Sequence, residues 1–260
     1  MIKAIFLDID GTLVSFETHK IPESTIEAVH KAKENGLYVF IATGRAKAIM
    51  NNIGALGEDT IDGYVTMNGA YCFTKDKVLY KNSIPKIDVE QIALESKKRD
   101  FASIFVSEHE IAVAQKNHLV NEIFHKQLNV PLFPEIALEE AINKEIFQIT
   151  PFITKEQENE ILPRLTTIEA GRWHPAFIDI TAKGSTKQKG VDVIIDHFGI
   201  NLNETLAIGD GGNDISMLEH VKVGIAMGNA RKEVQAVADY VTTSVDNDGV
   251  WNALKKFNVI

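Results

Sequence analysis

Apolar positions along the chain fall into short continuous runs separated by stretches of helical spacing. Residues 2–7 (IKAIFL) predict a strand buried on both faces. After Pro22, residues 23–35 carry Ile26, Val29 and Ala32 at helical spacing, and Asn35-Gly36 marks a stop. Residues 37–42 (LYVFIA) predict a second buried strand, 45–55 a helix, 63–67 a third strand and 70–80 a hairpin. The texture then changes. Residues 82–181 hold helices near 86–99, 117–128 and 155–163, with strand-like runs near 102–107, 111–115, 146–150 and 177–181. Strand–helix alternation returns with a helix at 186–198, strands at 205–209 and 223–227, and helices near 213–220 and 231–237. Alternation of this kind implies a parallel sheet flanked by helices. The expected fold class is α/β: a Rossmann-like parallel core over 1–81 and 182–260, with an α+β module at 82–181 inserted as a cap.

A chain of 260 residues with 45% apolar composition can bury a substantial core. Its net charge of −9 argues against a nucleic-acid partner, which calls for a basic surface, yet leaves room for a small anionic substrate. The lone Cys72 excludes an intramolecular disulfide and a cysteine-rich metal site. The opening MIKAIFLDID meets carboxylates too early for a signal peptide, and no apolar run reaches the length of a membrane span. The expectation is a soluble cytoplasmic protein with no membrane partner.

Four segments carry candidate chemistry, each just past a predicted core strand or at the start of the next helix. Asp8-Ile-Asp10-Gly11-Thr12 follows the first strand. Residues two apart in extended chain face the same side, so two carboxylates meet and suit a division between nucleophile and proton carrier. Thr43-Gly44-Arg45 follows the second strand and offers a hydroxyl, an open N–H and a cation, a set that favours phosphate. Lys187, in Lys183-Gly-Ser-Thr-Lys187-Gln-Lys189, opens a helix where a basic residue opposes the macrodipole unless an anion is near. Gly209-Asp210-Gly211-Gly212-Asn213-Asp214 brings two carboxylates and an amide to a strand end, hard ligands that suit Mg²⁺. The spacing of a calcium-binding EF-hand is absent, and no G-x-G-x-x-G follows the first strand. Each segment also has an ordinary reading as a turn, an N-cap or a solvated loop. In a parallel sheet, however, all four converge on one edge.

With these motifs in order, the whole chain resembles the haloacid dehalogenase superfamily and, within it, the Cof-type sugar-phosphatase group. Met67-Asn68-Gly-Ala-Tyr also resembles a segment of that group, with Met67 where Ser is common. The resemblance implies that Asp8 attacks phosphorus and that Asp10 serves as general acid and base. Thr43, Gly44, Arg45 and Lys187 would bind phosphate. Mg²⁺ would sit on Asp8, Asp10 (through its carbonyl) and Asp210, supported by Asn213 and Asp214. Gln188 and Lys189 depart from the group's usual Lys-Gly pattern, so Lys189, and behind it Lys183, stand as alternatives to Lys187. The long insertion after Thr43 resembles the group's lid, with Arg172, Trp173 and His174 as candidate substrate contacts or, alternatively, cap core and turn. The implied activity is Mg²⁺-dependent hydrolysis of a small phosphorylated metabolite, with hexose phosphates expected. A phosphosugar mutase and a non-catalytic phosphate- or Mg²⁺-sensing module are the alternatives. Dehalogenase chemistry does without the second aspartate, which is present here as Asp10.

Overall fold

In chain order the elements are β1 (Ala4–Leu7), α1 (Glu23–Glu34), β2 (Tyr38–Ala42), β3 (Gly63–Thr66), β4 (Tyr71–Phe73), β5 (Val78–Lys81), α2 (Lys86–Arg99), β6 (Ser103–Val106), β7 (Ile111–Ala114), α3 (His118–Val120), α4 (Leu138–Ala141), β8 (Gln148–Pro151), α5 (Lys155–Ile161), β9 (Ile168–His174) and β10 (Phe177–Ala182). There follow α6 (Lys187–Phe198), β11 (Thr205–Gly209), α7 (Ile215–His220), β12 (Val223–Ala226), α8 (Lys232–Val237), β13 (Tyr240–Val241) and α9 (Gly249–Lys256). This computed structural model describes residues 1–57, 59–127, 130 and 132–260, with their side chains except that of Trp173.

The chain divides into two compact units. The first comprises Met1–Arg45, Met50–Tyr80 and Thr186–Ile260. Its sheet runs β13-β12-β11-β1-β2-β3-β4-β5. Pairing is parallel from β13 through β3 and antiparallel between β3 and β4. From the central β1 the chain moves outward through β2 and β3 on one side. It returns later to fill β11, β12 and β13 on the other. Ligands in open α/β sheets bind at the carboxyl ends where this order reverses, here between β1 and β11.

Both faces of the central strands are apolar, as the uninterrupted runs predict. Phe6, Phe40 and Ala207 pack with Val191, Ile194 and Met217 on one face, with the Phe6 and Phe40 rings 4.9 Å apart. Ile5, Leu7, Val39 and Ile41 alternate to the other face and are fully buried there, where α1 packs on β2 and α9 on α1. Each such side chain contributes about 1.5–3 kcal/mol by leaving water. Gly190 matters for the site. A Cβ there would come within 2.1 Å of Val65 Cγ1, so only glycine lets α6 lie this close to β3. Lys187, three residues earlier on the same helix face, is thereby drawn down to the sheet edge.

The second unit, Ala46–Ile49 with Lys81–Ser185, has the antiparallel sheet β7-β6-β8-β10-β9. Its core joins Val89 and Ile92 of α2 to Phe105, Ile149, Ile178 and Ile180 of the sheet. Among the described residues no helix is long and apolar enough to cross a membrane.

Elements α4, β13 and α9 form where none was expected, and three further segments differ from expectation. The helix expected at 45–55 is two 3-10 turns, Lys47–Ile49 and Gly54–Leu56. Asn51, Asn52, Gly54 and Gly57 are poor helix formers, and Asn52 Oδ1 is held at 2.8 Å by the Arg45 guanidinium. The helix expected at 117–128 becomes α3 followed by a wide π-type turn, Asn121–Gln127, while residue 128 lies outside the described residues. Residues 168–174 form strand β9 at the sheet edge, where few side chains are buried and no alternating pattern is imposed.

Cys72 is fully buried on β4, and burial pushes its thiol up to about 12. The neutral thiol is a poor nucleophile. Ellman's reagent at pH 8 is expected to leave the folded protein unmodified over the time in which it titrates one thiol in the unfolded chain. Rapid reaction of the folded protein would contradict this burial.

Candidate active site

The site grows from the β1–β11 pair. Leu7 is registered with Ile208, and the Asp8 N–H donates to the Ile208 carbonyl at 3.1 Å. The two strands therefore deliver Asp8 and Asp210 side by side as they end. Gly11 turns the chain with φ +79°, and a Cβ at Gly11 would lie 2.2 Å from Asp210 Oδ2. Only glycine allows the loop after β1 to lie against the Asp210 carboxylate.

Lys187 stands at the centre with no exposed surface. Its Nζ donates to Asp8 Oδ1 at 2.6 Å and to Asp214 Oδ1 at 2.5 Å. Asp214 is also fully buried, and its Oδ2 accepts the backbone N–H groups of Asp210 (3.0 Å) and Gly211 (2.8 Å). Asp214 thus spends both oxygens on fixing the lysine and the loop after β11. Of the three candidate lysines, Lys187 reaches the carboxylates. Lys189 is exposed, with its Nζ 5.7 Å from the centre of the Tyr80 ring, and Lys183 is exposed in the second unit.

Thr43 is buried at the end of β2, and its Oγ1 accepts the Arg45 N–H at 3.0 Å. The hydroxyl proton remains to donate elsewhere. Arg45 forks onto Asp10, with Nη2 2.5 Å from Oδ1 and Nε 2.7 Å from Oδ2. The expectation placed Arg45 among the phosphate ligands; in this structure its charge is committed to Asp10. Gly44 lies against Asn68 and Asn213, for a Cβ there would stand 3.2 Å from Asn68 Oδ1 and 3.5 Å from Asn213 Nδ2. Asn213 Nδ2 in turn donates to Asn68 Oδ1 at 2.9 Å.

The charges do not balance. Carboxylate oxygens of Asp8, Asp210 and Asp214 lie within 4.8 Å of one another, with a single ammonium among them. Burial raises Asp8 well above the usual carboxylate range, Lys187 opposes this, and the neighbouring Asp214, Asp210 and Asp10 add to the rise. Burial and Asp214 likewise push Asp210 up to about 7. Burial alone would discharge Lys187, but Asp214 and Asp8 more than reverse that and hold it charged. An excess of hard oxygen donors fits a small divalent cation such as Mg²⁺.

In the second unit, Arg172 is occupied structurally. Its Nε donates to Glu158 Oε2 at 2.6 Å, Nη2 to the Ile153 carbonyl at 2.9 Å and Nη1 to the Pro175 carbonyl at 2.7 Å. His174 stacks on Phe177 at 4.9 Å, and burial followed by the Arg172 charge holds it below its usual pKa. The Trp173 side chain lies outside the described residues. Sequence reasoning missed Asn229, which donates to Asp210 Oδ2 at 3.0 Å. Its signal was available, because Met227-Gly-Asn-Ala follows β12 just as the other motifs follow their strands.

The chain belongs to the haloacid dehalogenase-like hydrolase family, whose model matches residues 5–254. It is similar to the solved HAD subclass IIB sugar phosphatase BT4131, with 57% identity over 99% of this chain and 100% of that one and a TM-score of 0.94. BT1666 of Bacteroides thetaiotaomicron, a phosphatase of the same superfamily, is 38% identical over 100% of this chain and 96% of its own, with a TM-score of 0.90. YkrA of Bacillus subtilis (strain 168), named only provisionally as a phosphatase, is 32% identical over 99% of this chain and 98% of its own length. The chain is a phosphatase, acting on phosphate monoesters with a mixed α/β fold built on a parallel-sheet core.

Proposed function

We propose that this phosphatase hydrolyses sugar phosphates, hexose phosphates first among them, through a covalent phosphoryl group on Asp8. The observation that carries the reading is the buried Lys187 ammonium, bonded at once to Asp8 and Asp214 beside Asp210. The 57% identity to a subclass IIB sugar phosphatase supports the substrate class.

In the first step an Asp8 oxygen bonds to phosphorus as the ester P–O bond breaks, and Asp10 delivers a proton to the departing sugar oxygen. In the second, Asp10 takes a proton from water, the water oxygen bonds to phosphorus, and the acyl-phosphate P–O bond breaks. Asp8 is restored and inorganic phosphate leaves. Lys187 and the Thr43 hydroxyl hold the phosphoryl oxygens throughout, with the Gly44 N–H available beside them. Arg45 keeps Asp10 in place between the two transfers. Asp8, the Asp10 carbonyl and Asp210, with Asn213 beside them, would hold Mg²⁺, which would supply charge neutralisation. Asp214, expected among the supports, has its oxygens engaged by Lys187 and by the Asp210 and Gly211 N–H groups, so its support would be indirect, through the loop that carries Asp210. All of these groups address phosphate and cation, so discrimination of the sugar falls to the inserted segment, which we assign as a lid with boundaries near 82 and 181.

The test is release of phosphate from a panel of hexose, pentose and triose phosphates, nucleotides and pyridoxal phosphate, with Mg²⁺ and with EDTA. Sugar phosphates are expected to lead the ranking, and EDTA is expected to lower turnover at least a hundredfold, on the order of 3 kcal/mol of transition-state stabilisation. Full activity in EDTA would remove the metal from the reading. Isomerised sugar phosphate without free phosphate would replace hydrolysis by a mutase, and Mg²⁺ binding without turnover would leave a sensing module.

A further inference from the structure

Asn229 sits in the loop Gly228–Ala230 that follows β12. That loop is braced from two directions. The Gly228 N–H donates to the Thr243 carbonyl at 3.0 Å, and Gln235 Nε2 donates to the carbonyls of Gly228 (3.2 Å) and Ala230 (3.0 Å). A Cβ on Gly228 would meet Ser244 N at 2.8 Å, so the loop has little room to shift. From this support the Asn229 amide uses both of its N–H donors and its carbonyl oxygen. Nδ2 donates to the Gly11 carbonyl at 2.8 Å and to Asp210 Oδ2 at 3.0 Å, while Oδ1 accepts the Val245 N–H at 2.9 Å. The orientation of the amide follows from its partners. A carbonyl and a carboxylate can only accept, and the Val245 N–H can only donate.

The chemistry of this position calls for asparagine. Aspartate would face two acceptors with a third, and alanine would leave Asp210 free to rotate. With Oδ2 engaged by Asn229, the Asp210 carboxylate is locked about its last torsion, and its other oxygen is presented in one direction. The same amide anchors Gly11, and hence the turn that carries the Asp10 carbonyl. We propose that Asn229 is a positioning residue of the active site. It sets the two groups, Asp210 and the Asp10–Gly11 turn, that the cation is read to use, and it makes no contact of its own with the reacting atoms. This rests on the metal reading given above, and it extends that reading to a residue 218 positions away in sequence from Gly11 of the first motif. Groups that orient a metal ligand typically cost about tenfold or more in metal affinity when removed.

The test compares wild type with Asn229→Ala and Asn229→Ser in three readouts: melting temperature in EDTA, the Mg²⁺ midpoint of direct binding followed by titration calorimetry, and the Mg²⁺ dependence of phosphate release. Both variants are expected to need about tenfold more Mg²⁺ at half effect in the second and third readouts. At saturating Mg²⁺ they are expected to regain most of the wild-type kcat with an unchanged KM for the sugar phosphate. A lower melting temperature in EDTA with an unchanged Mg²⁺ midpoint would make Asn229 merely structural and overturn the proposal. If alanine does not fold, serine carries the same comparison. A wild-type protein that ignores Mg²⁺ in both binding and turnover would defeat the metal reading itself, a result distinct from a shifted or unshifted variant.

Discussion

Asp8→Asn is expected to reduce phosphate release by about 10,000-fold or more if Asp8 is the nucleophile as proposed, since the loss of a nucleophile acting within a concerted set removes most of the rate enhancement. The two residues are nearly the same size, so packing at the end of β1 is kept. The amide, however, cannot form the acyl-phosphate. Stability should move the other way. Burial holds Asp8 well above the usual carboxylate range, and Asp214, Asp210 and Asp10 add to that rise, so ionised Asp8 is an electrostatic load on the metal-free fold. The variant is therefore expected to melt no lower than wild type in EDTA, as is usual where function opposes stability. Initial rates and thermal unfolding of the same preparation check both halves. Residual turnover above about one per cent would point to direct attack by water and away from a covalent phosphoryl group.

Lys187→Met is expected to carry the largest structural cost of any single substitution in the site. Its ammonium is fully buried and bonded to two buried carboxylates. Removing one member of such a cluster strands the others and costs about 3–5 kcal/mol. The effect has a defined pH dependence. Asp8 is raised in the folded state, so there the folded protein binds more protons than the unfolded chain, and stability falls as pH rises. Without the ammonium this rise in Asp8 has no opposition from Lys187. The deficit against wild type is expected to be widest at neutral pH and above, and to narrow as pH falls and the stranded carboxylates take up protons. Urea unfolding in EDTA across pH 5 to 8 measures it. A deficit that is constant across that range would mean lost packing rather than stranded charge. Activity should fall with stability, since the proposed route has Lys187 hold the phosphoryl oxygens.

The two predictions show what kind of site this is. A cluster of acidic groups with one lysine is poorly balanced for stability, and a cation bound among the carboxylates would offset that imbalance. The glycines serve the same end. Gly11 allows the first loop onto Asp210, and Gly190 lets α6 bring Lys187 to the sheet. Neither has a chemical role, yet each sets a distance on which the chemistry depends.

What the sequence determined by itself was local. The apolar runs at 2–7, 37–42 and 205–209 could be read as buried strands because both faces must leave water, and that requirement is written in every consecutive residue. The carboxylates and the threonine that follow those strands were legible for the same reason. A parallel sheet gathers its strand ends, so residues far apart in sequence can be assigned to one edge before any contact is known. Tertiary structure decided the rest. Nothing local distinguishes Lys187 from Lys189; the close approach of α6 over Gly190 buries one and leaves the other in water. Nothing in Ala42-Thr43-Gly44-Arg45 foretells that the guanidinium turns to Asp10, and nothing in Gly-Arg172-Trp173-His174 foretells that Arg172 is spent on Glu158 and three carbonyls. Long polar side chains choose partners by proximity, and proximity across 35 or 14 residues is set only when the chain has folded. For Asn229 the position after β12 was legible in the sequence, but its partners were not. Its amide acquires meaning from three acceptors and donors supplied by three other segments, and no pattern along one strand of sequence can supply that geometry.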